Sequence, residues 1–416
     1  MNKANEMMNE EKPTKVKLFK HQQDLVDKNP DRQLIAWGTG VGKTYGGLAL
    51  ARAKGLSTLI VCPKRVKEKW IKQSNEWLTQ HHLVVTKEEF RRDYKKLDRF
   101  DCIITDEAHL GFGNHKSLLH KAMAAYIKVH SIKHVYLLTG TPYTSTPWSI
   151  FSLAKLLGHN WNWYEFRSQF FKERYLGARI IWEPREGTED EIADLVRSIG
   201  DIVRLDECTD VPVQRDEFEI FSMTKEQRDA MDEMKKREDN PLTRFGKSHQ
   251  IAQGIQIGDE FRPTEFYKSP KNERILELAQ ENDKLAVFTR YTYHIDQLNE
   301  LLTKKGIPVY IIRGDTKEPE AVMEQANASK RCVILINSEC AEGYELPTFS
   351  IIVFASLSYS FVKYEQARGR FLRINAMKPN LYIHLISDGP TDAAVWESVK
   401  RKRNFSEAIY SKENVL

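Results

Sequence analysis

A glycine-rich stretch with a lysine and a threonine is the part of the sequence best suited to bind phosphate. It reads GTGVGKT and directly follows the apolar run Gln33–Trp37. Glycines let consecutive backbone N–H groups turn toward phosphate oxygens, and the helix expected to follow adds the positive end of its dipole. We therefore predict that the whole loop holds phosphate, through Gly38, Thr39, Gly40, Val41, Gly42, Lys43 and Thr44.

Two side chains of this loop have chemical roles beyond the backbone cradle. In loops of this type the lysine, here Lys43, reaches the β- and γ-phosphates, and the hydroxyl, here Thr44, ligates Mg²⁺. The sequence departs from the strict pattern at one place, because Trp37 stands at the position of the first glycine.

Two adjacent acids supply the second part of a hydrolytic site. Asp106 and Glu107 come directly after the apolar run Asp101–Thr105 and are followed by Ala108 and His109. A carboxylate at the end of a buried strand beside a phosphate loop can hold the Mg²⁺ shell, and this role is assigned to Asp106. The neighbouring Glu107 can orient and deprotonate an attacking water.

The second half of the chain carries a pattern of glutamine, glycine and two arginines that suits a phosphate. It reads QARGRFLR, with Gln366, Gly369, Arg370 and Arg373 at the matching positions. Arg370 and Arg373 are three residues apart, so one face of a helix would present both guanidinium groups. Guanidinium groups suit the charge that spreads over a γ-phosphate during transfer. An exposed basic helix is the alternative, and the phosphate loop favours the catalytic interpretation.

Short β-branched runs alternate with amphipathic helical stretches in both halves of the chain, which predicts an α/β fold of parallel sheets. In the first half the predicted strands are Gln33–Trp37, Thr58–Cys62, Leu83–Val85, Asp101–Thr105 and His134–Thr139. In the second half they are Lys284–Phe288, Val309–Ile312, Cys332–Ile336, Ile351–Phe354 and Leu381–Ile386.

The same alternation of strands and helices predicts the domain boundaries. Residues 1–15 are polar and are predicted to be disordered, residues 16–215 form a first domain, and residues 216–416 form a second. From about residue 148 the alternation gives way to aromatic and charged residues at helical spacing, so the first domain is predicted to end in a helical extension. The aromatic residues of this extension, between Trp161 and Phe171, favour a core over a base-stacking platform. A strand-separating hairpin is not evident, and residues 240–265 are its one candidate location.

Taken in order, these patterns resemble the motifs of superfamily 2 helicases, and their details resemble the Swi/Snf-like branch. GTGVGKT and DEAH are similar to motifs I and II, LTGTP at 138–142 to motif III of that branch, and QARGRFLR to motif VI. The resemblance covers roughly residues 15 to 405. It implies two RecA-like parallel-sheet domains with a helical extension between them, ATP and Mg²⁺ as cofactors, and Gln22 as the residue that reads adenine. Gln366, Arg370 and Arg373 are implied to act on the nucleotide from the second domain.

The resemblance also implies contacts to the backbone of a nucleic acid. The matching positions lie in motif Ia after Thr58–Cys62, in motif III, in a short G-x-T element and in motif V. They are Pro63, Lys64, Arg65, Gly140, Thr141, Arg313, Gly314, Thr316 and Gly343. Motif V departs from the family pattern, because Glu342 precedes Gly343 where paired glycines are often found.

The composition indicates a folded globular protein but does not identify what the protein binds. The chain has 416 residues, 29% of them charged, and a net charge of +5, which suits a folded globular protein and does not by itself require a polyanionic partner. Its five cysteines include no CxxC pair and are predicted to be reduced core residues, with neither zinc nor disulfides. No run is long and apolar enough for a signal peptide or a membrane span, so we expect a cytoplasmic protein without a membrane partner.

Three functions remain open from the sequence. The Swi/Snf-like details favour a DNA translocase or helicase. An RNA helicase of the same superfamily is the first alternative, and a nucleotide-gated scaffold without catalysis is the second. We expect a monomeric motor with a preference for DNA over RNA and replication or recombination proteins as possible partners. In its small size the chain resembles the compact helicases of bacteriophages and bacteria. We therefore expect it to act in the cytoplasm of a bacterial or phage-infected cell.

Overall fold

The structure is a computed structural model, and it describes most of the chain. The described residues are 17–38, 40–140, 147–176, 179–204, 214–237, 240–257, 263–266, 268–340, 345–357, 360–371 and 379–410. The predicted disordered segment 1–15 lies outside these ranges. Contacts between backbone positions divide the chain into two compact units, residues 1–209 with 405–416 and residues 210–404. The predicted boundary lies a few residues further along, at 215.

The first unit is built on one six-stranded sheet with helices on both faces. Its strands are β1 (Arg32–Trp37), β2 (Thr58–Cys62), β3 (His82–Thr86), β4 (Cys102–Thr105), β5 (His134–Leu138), β6 (Phe171–Leu176), β7 (Arg179–Pro184) and β8 (Gly200–Val203). Its helices are α1 (Lys20–Lys28), α2 (Lys43–Ala53), α3 (Lys67–Trp77), α4 (Lys87–Asp93), α5 (His109–Phe112), α6 (Leu118–Val129), α7 (Trp148–Leu156), α8 (Trp163–Phe170) and α9 (Glu189–Ile199). Single 3₁₀ turns cover Lys64–Val66 and Tyr94–Lys96.

The strand order of this sheet is β3-β2-β4-β5-β1-β8, and every neighbouring pair is parallel. Successive residues of β1 are buried on opposite faces: Leu34 and Ala36 pack in one apolar layer, Ile35 and Trp37 in the other. Burial on both faces explains why the strands are apolar at consecutive positions. All five strands predicted for this half are present, within two residues at each end.

The segment after Pro147 is less helical than predicted. It contains α7, α8 and α9, but β6 and β7 form an antiparallel pair and β8 joins the main sheet beside β1. Arg174 of β6 pairs with Glu183 of β7 across the two strands at 2.6 Å. The aromatic residues do form a core, as predicted, with Phe166, Phe170 and Phe171 buried.

The second unit repeats the architecture. Its strands are β9 (Gln214–Phe221), β10 (Ile255–Ile257), β11 (Pro263–Phe266), β12 (Lys284–Thr289), β13 (Val309–Ile312), β14 (Cys332–Asn337), β15 (Ile351–Phe354) and β16 (Asn380–Ser387). Its helices are α10 (Lys225–Arg237), α11 (Pro241–Ala252), α12 (Pro270–Glu281), α13 (Thr292–Thr303), α14 (Pro319–Ala328), α15 (Phe361–Arg368) and α16 (Pro390–Tyr410), with a 3₁₀ turn at Ser338–Cys340.

The sheet of the second unit has the order β13-β14-β12-β15-β16-β9, again with parallel neighbours throughout. The five predicted strands are present, and β9 is an addition at the edge. A separate antiparallel pair, β10 and β11, spans residues 255–266 and so overlaps residues 240–265, the candidate location of a hairpin. Two six-stranded parallel sheets with helices confirm the predicted fold class.

A buried polar network lies where helices α11, α12 and α16 meet the sheet of the second unit. The Lys271 ammonium, only 1% exposed, donates to Asp392 Oδ2 at 2.5 Å, to Gln253 Oε1 at 2.9 Å and to the Ala355 carbonyl at 3.2 Å. Asp392 also accepts from Gln253 Nε2 at 3.0 Å and from the Ser387 N–H at 3.0 Å. Both charges are therefore paired and hydrogen-bonded, which is the condition for tolerating them in a core.

His294 of this core makes stability depend on pH. Its fully buried ring bonds Asn272 Oδ1 and the Thr289 hydroxyl, each at 2.8 Å, and burial, with the nearby Lys271 charge, lowers its pKa to about 3. The unfolded chain takes up a proton near pH 6.5 and the folded chain does not. Above pH 6.5 this group therefore leaves the free energy of unfolding unchanged. As the pH is lowered from 6.5 to 3, it reduces that free energy by up to about 1.4 kcal/mol per pH unit.

We expect urea unfolding to show that loss of stability as the pH is lowered from 7 to 5. His249, whose pKa burial lowers to about 4, contributes in the same direction. The variant His294→Gln should show a shallower dependence, because one of the titrating groups is gone. The same pH dependence in both proteins would mean that His294 does not titrate in this window.

Candidate active site

The phosphate loop lies between β1 and α2, and its backbone has the conformation that its glycines permit. Gly40 and Gly42 each have φ of +85°, in the left-handed region, and α2 begins at Lys43. The loop is anchored where it starts, because the Gly38 N–H donates to the Val203 carbonyl of β8 at 2.9 Å. Thr39 lies outside the described residues.

The cationic end of Lys43 is held inside the loop. Its ammonium donates to the carbonyls of Trp37 at 3.0 Å and Gly38 at 3.1 Å, and Thr44 follows in the first turn of α2. A lysine, a hydroxyl and a helix N-terminus behind a left-handed glycine loop are the donors that a nucleotide phosphate requires.

Trp37, the departure from the strict loop pattern, has a structural partner. Its ring is fully buried, and its indole N–H donates to Asp201 Oδ2 at 2.7 Å; the other oxygen of Asp201 pairs with Lys28 at 2.6 Å. A Cβ at Gly46 would come within 2.6 Å of the Trp37 ring, so the glycine in α2 makes room for the tryptophan. Sequence reasoning did not identify Asp201, which is far along the chain.

Gln22 lies against the phosphate loop and is almost fully buried. Its Nε2 donates to the Gly42 carbonyl at 3.1 Å, and its Oε1 accepts from the Phe19 N–H at 2.9 Å. A Cβ at Gly42 would stand 2.6 Å from that amide nitrogen, so this approach requires glycine. The neighbouring His21 bonds the Val41 carbonyl at 2.9 Å. These bonds tie α1 to the loop, and adenine recognition by Gln22 stays a prediction.

The acidic pair follows β4. Asp106 Oδ2 accepts from the indole N–H of Trp70 at 2.8 Å, and Asp106 Oδ1 accepts from the Glu107 N–H at 3.0 Å. Burial raises the pKa of Asp106, as does the charge of Glu107. A cation beside this carboxylate would offset its burial, so Asp106 and Thr44 fit the predicted Mg²⁺ ligands.

Glu107 has an unusual backbone for a residue with a side chain, with φ of +46°. Its carboxylate Oε2 lies 3.4 Å from Nδ1 of the buried His109, which also bonds the Thr139 hydroxyl at 2.8 Å. His109 therefore connects the acidic turn to the end of β5. A left-handed non-glycine residue is a strained position that often occurs at a functional site.

The phosphate loop and the acidic turn share one edge of the sheet. Strand β5 lies between β1 and β4, and all three are parallel, so the loops after them leave from the same edge. In open α/β sheets, ligands bind outside this carboxyl edge. The residues predicted for phosphate, Mg²⁺ and water activation in the first unit are thus brought to one place.

The arginine motif differs from its prediction. Helix α15 ends at Arg368, and Gly369 and Arg370 lie in the turn beyond it, so Arg370 is not on a helical face. The glycine lowers the propensity to continue the helix. Gln366 is buried, Arg370 is half-buried, and Arg373 lies outside the described residues.

A third arginine of this motif is structural. The buried Arg368 forms a bidentate pair with Asp216 of β9, and its guanidinium lies 3.9 Å from the centre of the Tyr382 ring. It ties α15 to two strands of the sheet. Its partner is 152 positions away in sequence, which is why the motif alone could not separate Arg368 from the arginines assigned to the nucleotide.

The candidates for nucleic-acid contact in the first unit follow β2 and β5. Pro63 precedes the 3₁₀ turn Lys64–Val66, in which Lys64 and Arg65 are exposed, and Gly140 follows β5. All of them leave the sheet at its carboxyl edge. Thr141 lies outside the described residues.

In the second unit the described candidates form a tight turn after β13. The Arg313 N–H donates to the Thr316 hydroxyl at 2.9 Å, and the Arg313 guanidinium pairs with Asp296 at 2.8 Å and Asp315 at 2.9 Å. A Cβ at Gly314 would meet open space. A phosphate at this turn would therefore compete with two carboxylates for Arg313. Gly343 lies outside the described residues.

Comparison with known proteins shows what this chain is similar to. The description "Helicase conserved C-terminal domain" matches residues 270–375. The SWI/SNF-related matrix-associated actin-dependent regulator of chromatin subfamily A-like protein 1 homolog of Caenorhabditis elegans is 24% identical over 436 residues, covering 93% of this chain and 61% of that protein. The chain is thus similar to Swi/Snf-related proteins and contains a match to a helicase C-terminal domain.

Two further proteins are similar to this chain. The DNA annealing helicase and endonuclease ZRANB3 of Bos taurus is 22% identical, and the match covers 93% of this chain and 40% of that protein. A solved structure, the Sulfolobus solfataricus SWI2/SNF2 ATPase core in complex with dsDNA, aligns with 96% of this chain and 94% of its own, at 17% identity and a TM-score of 0.41. The chain spans roughly half the length of the curated relatives that it matches.

The described residues contain no group of three or more His, Cys, Asp or Glu side chains placed to hold a metal ion. No helix in the described part of the chain is long and apolar enough to cross a membrane. Four cysteines, Cys62, Cys102, Cys332 and Cys340, are buried thiols.

Proposed function

We propose that this chain is an ATP-dependent DNA motor, a translocase or helicase that hydrolyses ATP to ADP and phosphate. The observation that carries the proposal is the convergence of the phosphate loop and the acidic turn on one sheet edge, with Lys43 and Asp106 in the loops after β1 and β4. A nucleotide-gated scaffold would need the same phosphate loop but would not need a water-activating Glu107.

The chemistry follows from the groups at that edge. Lys43 and the backbone of Gly38 to Gly42 bind the phosphates, while Thr44 and Asp106 hold Mg²⁺, which when bound neutralises phosphate charge. Glu107 orients the attacking water and accepts its proton, and His109 at 3.4 Å restrains that carboxylate. In this proposal Gln22 reads adenine, and Gln366, Arg370 and Arg373 act on the phosphate as the transition state forms.

In this proposal the motor moves along DNA in preference to RNA. One of the relatives is named a DNA annealing helicase, and this chain has a Gly-Thr-Pro sequence at 140–142 where RNA helicases of the superfamily typically have SAT. The proposed contacts are with the sugar–phosphate backbone, so we expect weak sequence preference and strong salt dependence. They involve Pro63, Lys64, Arg65, Gly140, Thr141, Arg313, Gly314, Thr316 and Gly343.

The test is ATP hydrolysis by the full chain against duplex DNA, single-stranded DNA and RNA, together with a strand-displacement assay. We expect duplex or single-stranded DNA to stimulate hydrolysis more than RNA does. Greater stimulation by RNA would favour the RNA helicase, and ATP binding without turnover would favour the scaffold. Displacement of an annealed strand would separate a helicase from a translocase.

Replacing both Lys64 and Arg65 with Ala should weaken DNA binding to a similar degree across unrelated sequences. The slope of log affinity against log salt concentration should become shallower by roughly one to two units, since each lost phosphate contact removes about one. ATP hydrolysis without DNA should barely change. The matched control is the double replacement of the exposed Lys95 and Lys96, which makes the same charge change away from the carboxyl edge.

Affinity for DNA measured at several salt concentrations in the two double variants checks this prediction. An unchanged slope in the Lys64 and Arg65 variant would place the DNA track elsewhere. An equal loss of DNA affinity in the Lys95 and Lys96 variant would mean that net charge alone explains the effect.

We also propose the cellular setting that the resemblance implies. The chain would act as a monomeric motor beside replication or recombination proteins in a bacterial or phage-infected cytoplasm. Size-exclusion chromatography with light scattering, with and without DNA, tests the monomer: a dimer formed only on DNA would contradict it.

A further inference from the structure

Lys87 occupies a position that is electrostatically unfavourable for a lysine. It is the first residue of α4, and Thr86 and Glu89 form a capping box that fixes the start of that helix. The positive end of the helix dipole repels a cation there, and the side chain is also buried, with 8% exposed. An ammonium group kept in such a place requires compensating partners.

The partners belong to the acidic turn. The Lys87 Nζ donates to the carbonyl of Glu107 at 2.7 Å and to the carbonyl of Leu110 at 2.9 Å. It also lies 5.5 Å from the centre of the Phe112 ring. One ammonium thus joins the two ends of the Glu107–Leu110 backbone, from an element that is not part of any motif assigned above.

That backbone is irregular, and it is strained at Glu107. Glu107 has φ of +46°, Leu110 leaves the helical region within α5, and Gly111 has φ of +84°. Non-glycine residues keep left-handed angles only where surrounding contacts enforce them. The bonds from Lys87 to the Glu107 and Leu110 carbonyls are contacts of that kind.

We propose that Lys87 is a positioning residue for ATP hydrolysis, which sets the place of the Glu107 carboxylate by holding the Glu107 carbonyl. The inference rests on the proposed function and adds to it a residue that lies outside the motifs named in the sequence analysis. Lys87 acts through Glu107 and not on the nucleotide. Its loss should therefore lower the turnover number and leave ATP affinity unchanged, because a displacement of about 1 Å at a reacting group can cost about a hundredfold in rate.

The experiment compares Lys87→Met, which removes the donors and the charge, with Lys87→Arg, which keeps both in a wider head group. The matched control is Lys121→Met on the exposed face of α6. DNA-stimulated hydrolysis is measured over a range of ATP concentrations, and ATP affinity is measured separately with a fluorescent ATP analogue. For Lys87→Met we expect kcat to fall about a hundredfold with KM and analogue affinity within threefold of wild type.

For Lys87→Arg we expect normal folding, wild-type affinity and a kcat about tenfold lower, because the planar fork does not reproduce two bonds from one ammonium. Wild-type kcat in either folded variant would overturn the inference, and so would parallel losses of kcat and ATP affinity in Lys87→Arg. A wild-type protein without stimulated hydrolysis would overturn the proposed function itself. Activity in wild type with no effect at Lys87 would overturn only this inference.

Discussion

Replacing Glu107 with Gln should lower the ATP turnover number at least about a hundredfold while ATP affinity stays near that of wild type. The amide has almost the same shape as the carboxylate but accepts no proton, so the attacking water loses its base. Asp106, with its bonds from Trp70 and from the Glu107 N–H, keeps its geometry in this variant. Steady-state hydrolysis and separate measurement of nucleotide affinity check the prediction.

The matched control for that experiment is Glu88→Gln, which makes the same chemical change at an exposed residue of α4. It should leave both turnover and affinity unchanged. Near-normal turnover in Glu107→Gln would mean that another group activates the water. A parallel loss of nucleotide affinity would mean that Glu107 contributes to binding.

The variant Lys271→Met should lower the free energy of unfolding of the second unit by about 3–5 kcal/mol, the cost of removing one partner of a buried ion pair. Methionine nearly matches the length of the lysine but leaves the 7%-exposed Asp392 without its cation. Urea unfolding at pH 7 measures the loss. The exposed Lys268, paired with Glu273 at 2.9 Å, supplies the control Lys268→Met, which should unfold at nearly the same urea concentration as wild type.

A second substitution tests the reason for that loss. If the unpaired charge causes it, Lys271→Met combined with Asp392→Leu should recover part of the stability, because neither charge then remains buried. Recovery should be incomplete, since Gln253 and the Ser387 N–H lose their acceptor. A double variant less stable than Lys271→Met would contradict a dominant charge effect.

Local patterns predicted most of the fold and the first half of the candidate site. The ten predicted strands were recognisable because each is a short apolar run buried on both faces of a parallel sheet. The phosphate loop was recognisable because glycine, lysine and threonine must be adjacent in sequence to act together. Such features depend on neighbours within a few residues.

The features that sequence reasoning missed depend on distant partners. Nothing near Trp37 indicates that Asp201 accepts its indole N–H, and nothing near Arg368 indicates that Asp216 binds it. The helical prediction was wrong for Arg370, because Gly369 follows the last residue of α15, and it stays a prediction for Arg373. The sequence assigns no role to Lys87, because its partners Glu107 and Leu110 are 20 and 23 positions away.

The position of β8 determines how the first unit can be shortened. The segment after Pro147 resembles a removable insertion, yet its last strand pairs with β1 along Leu34–Trp37 and accepts the N–H of Gly38. Cutting the chain before β8 would turn β1 into an edge strand with unpaired backbone groups and four buried side chains beside them. Such an edge is a template for aggregation. An isolated first unit must therefore extend past Val203. Deletions within the segment after Pro147 should leave β8 intact.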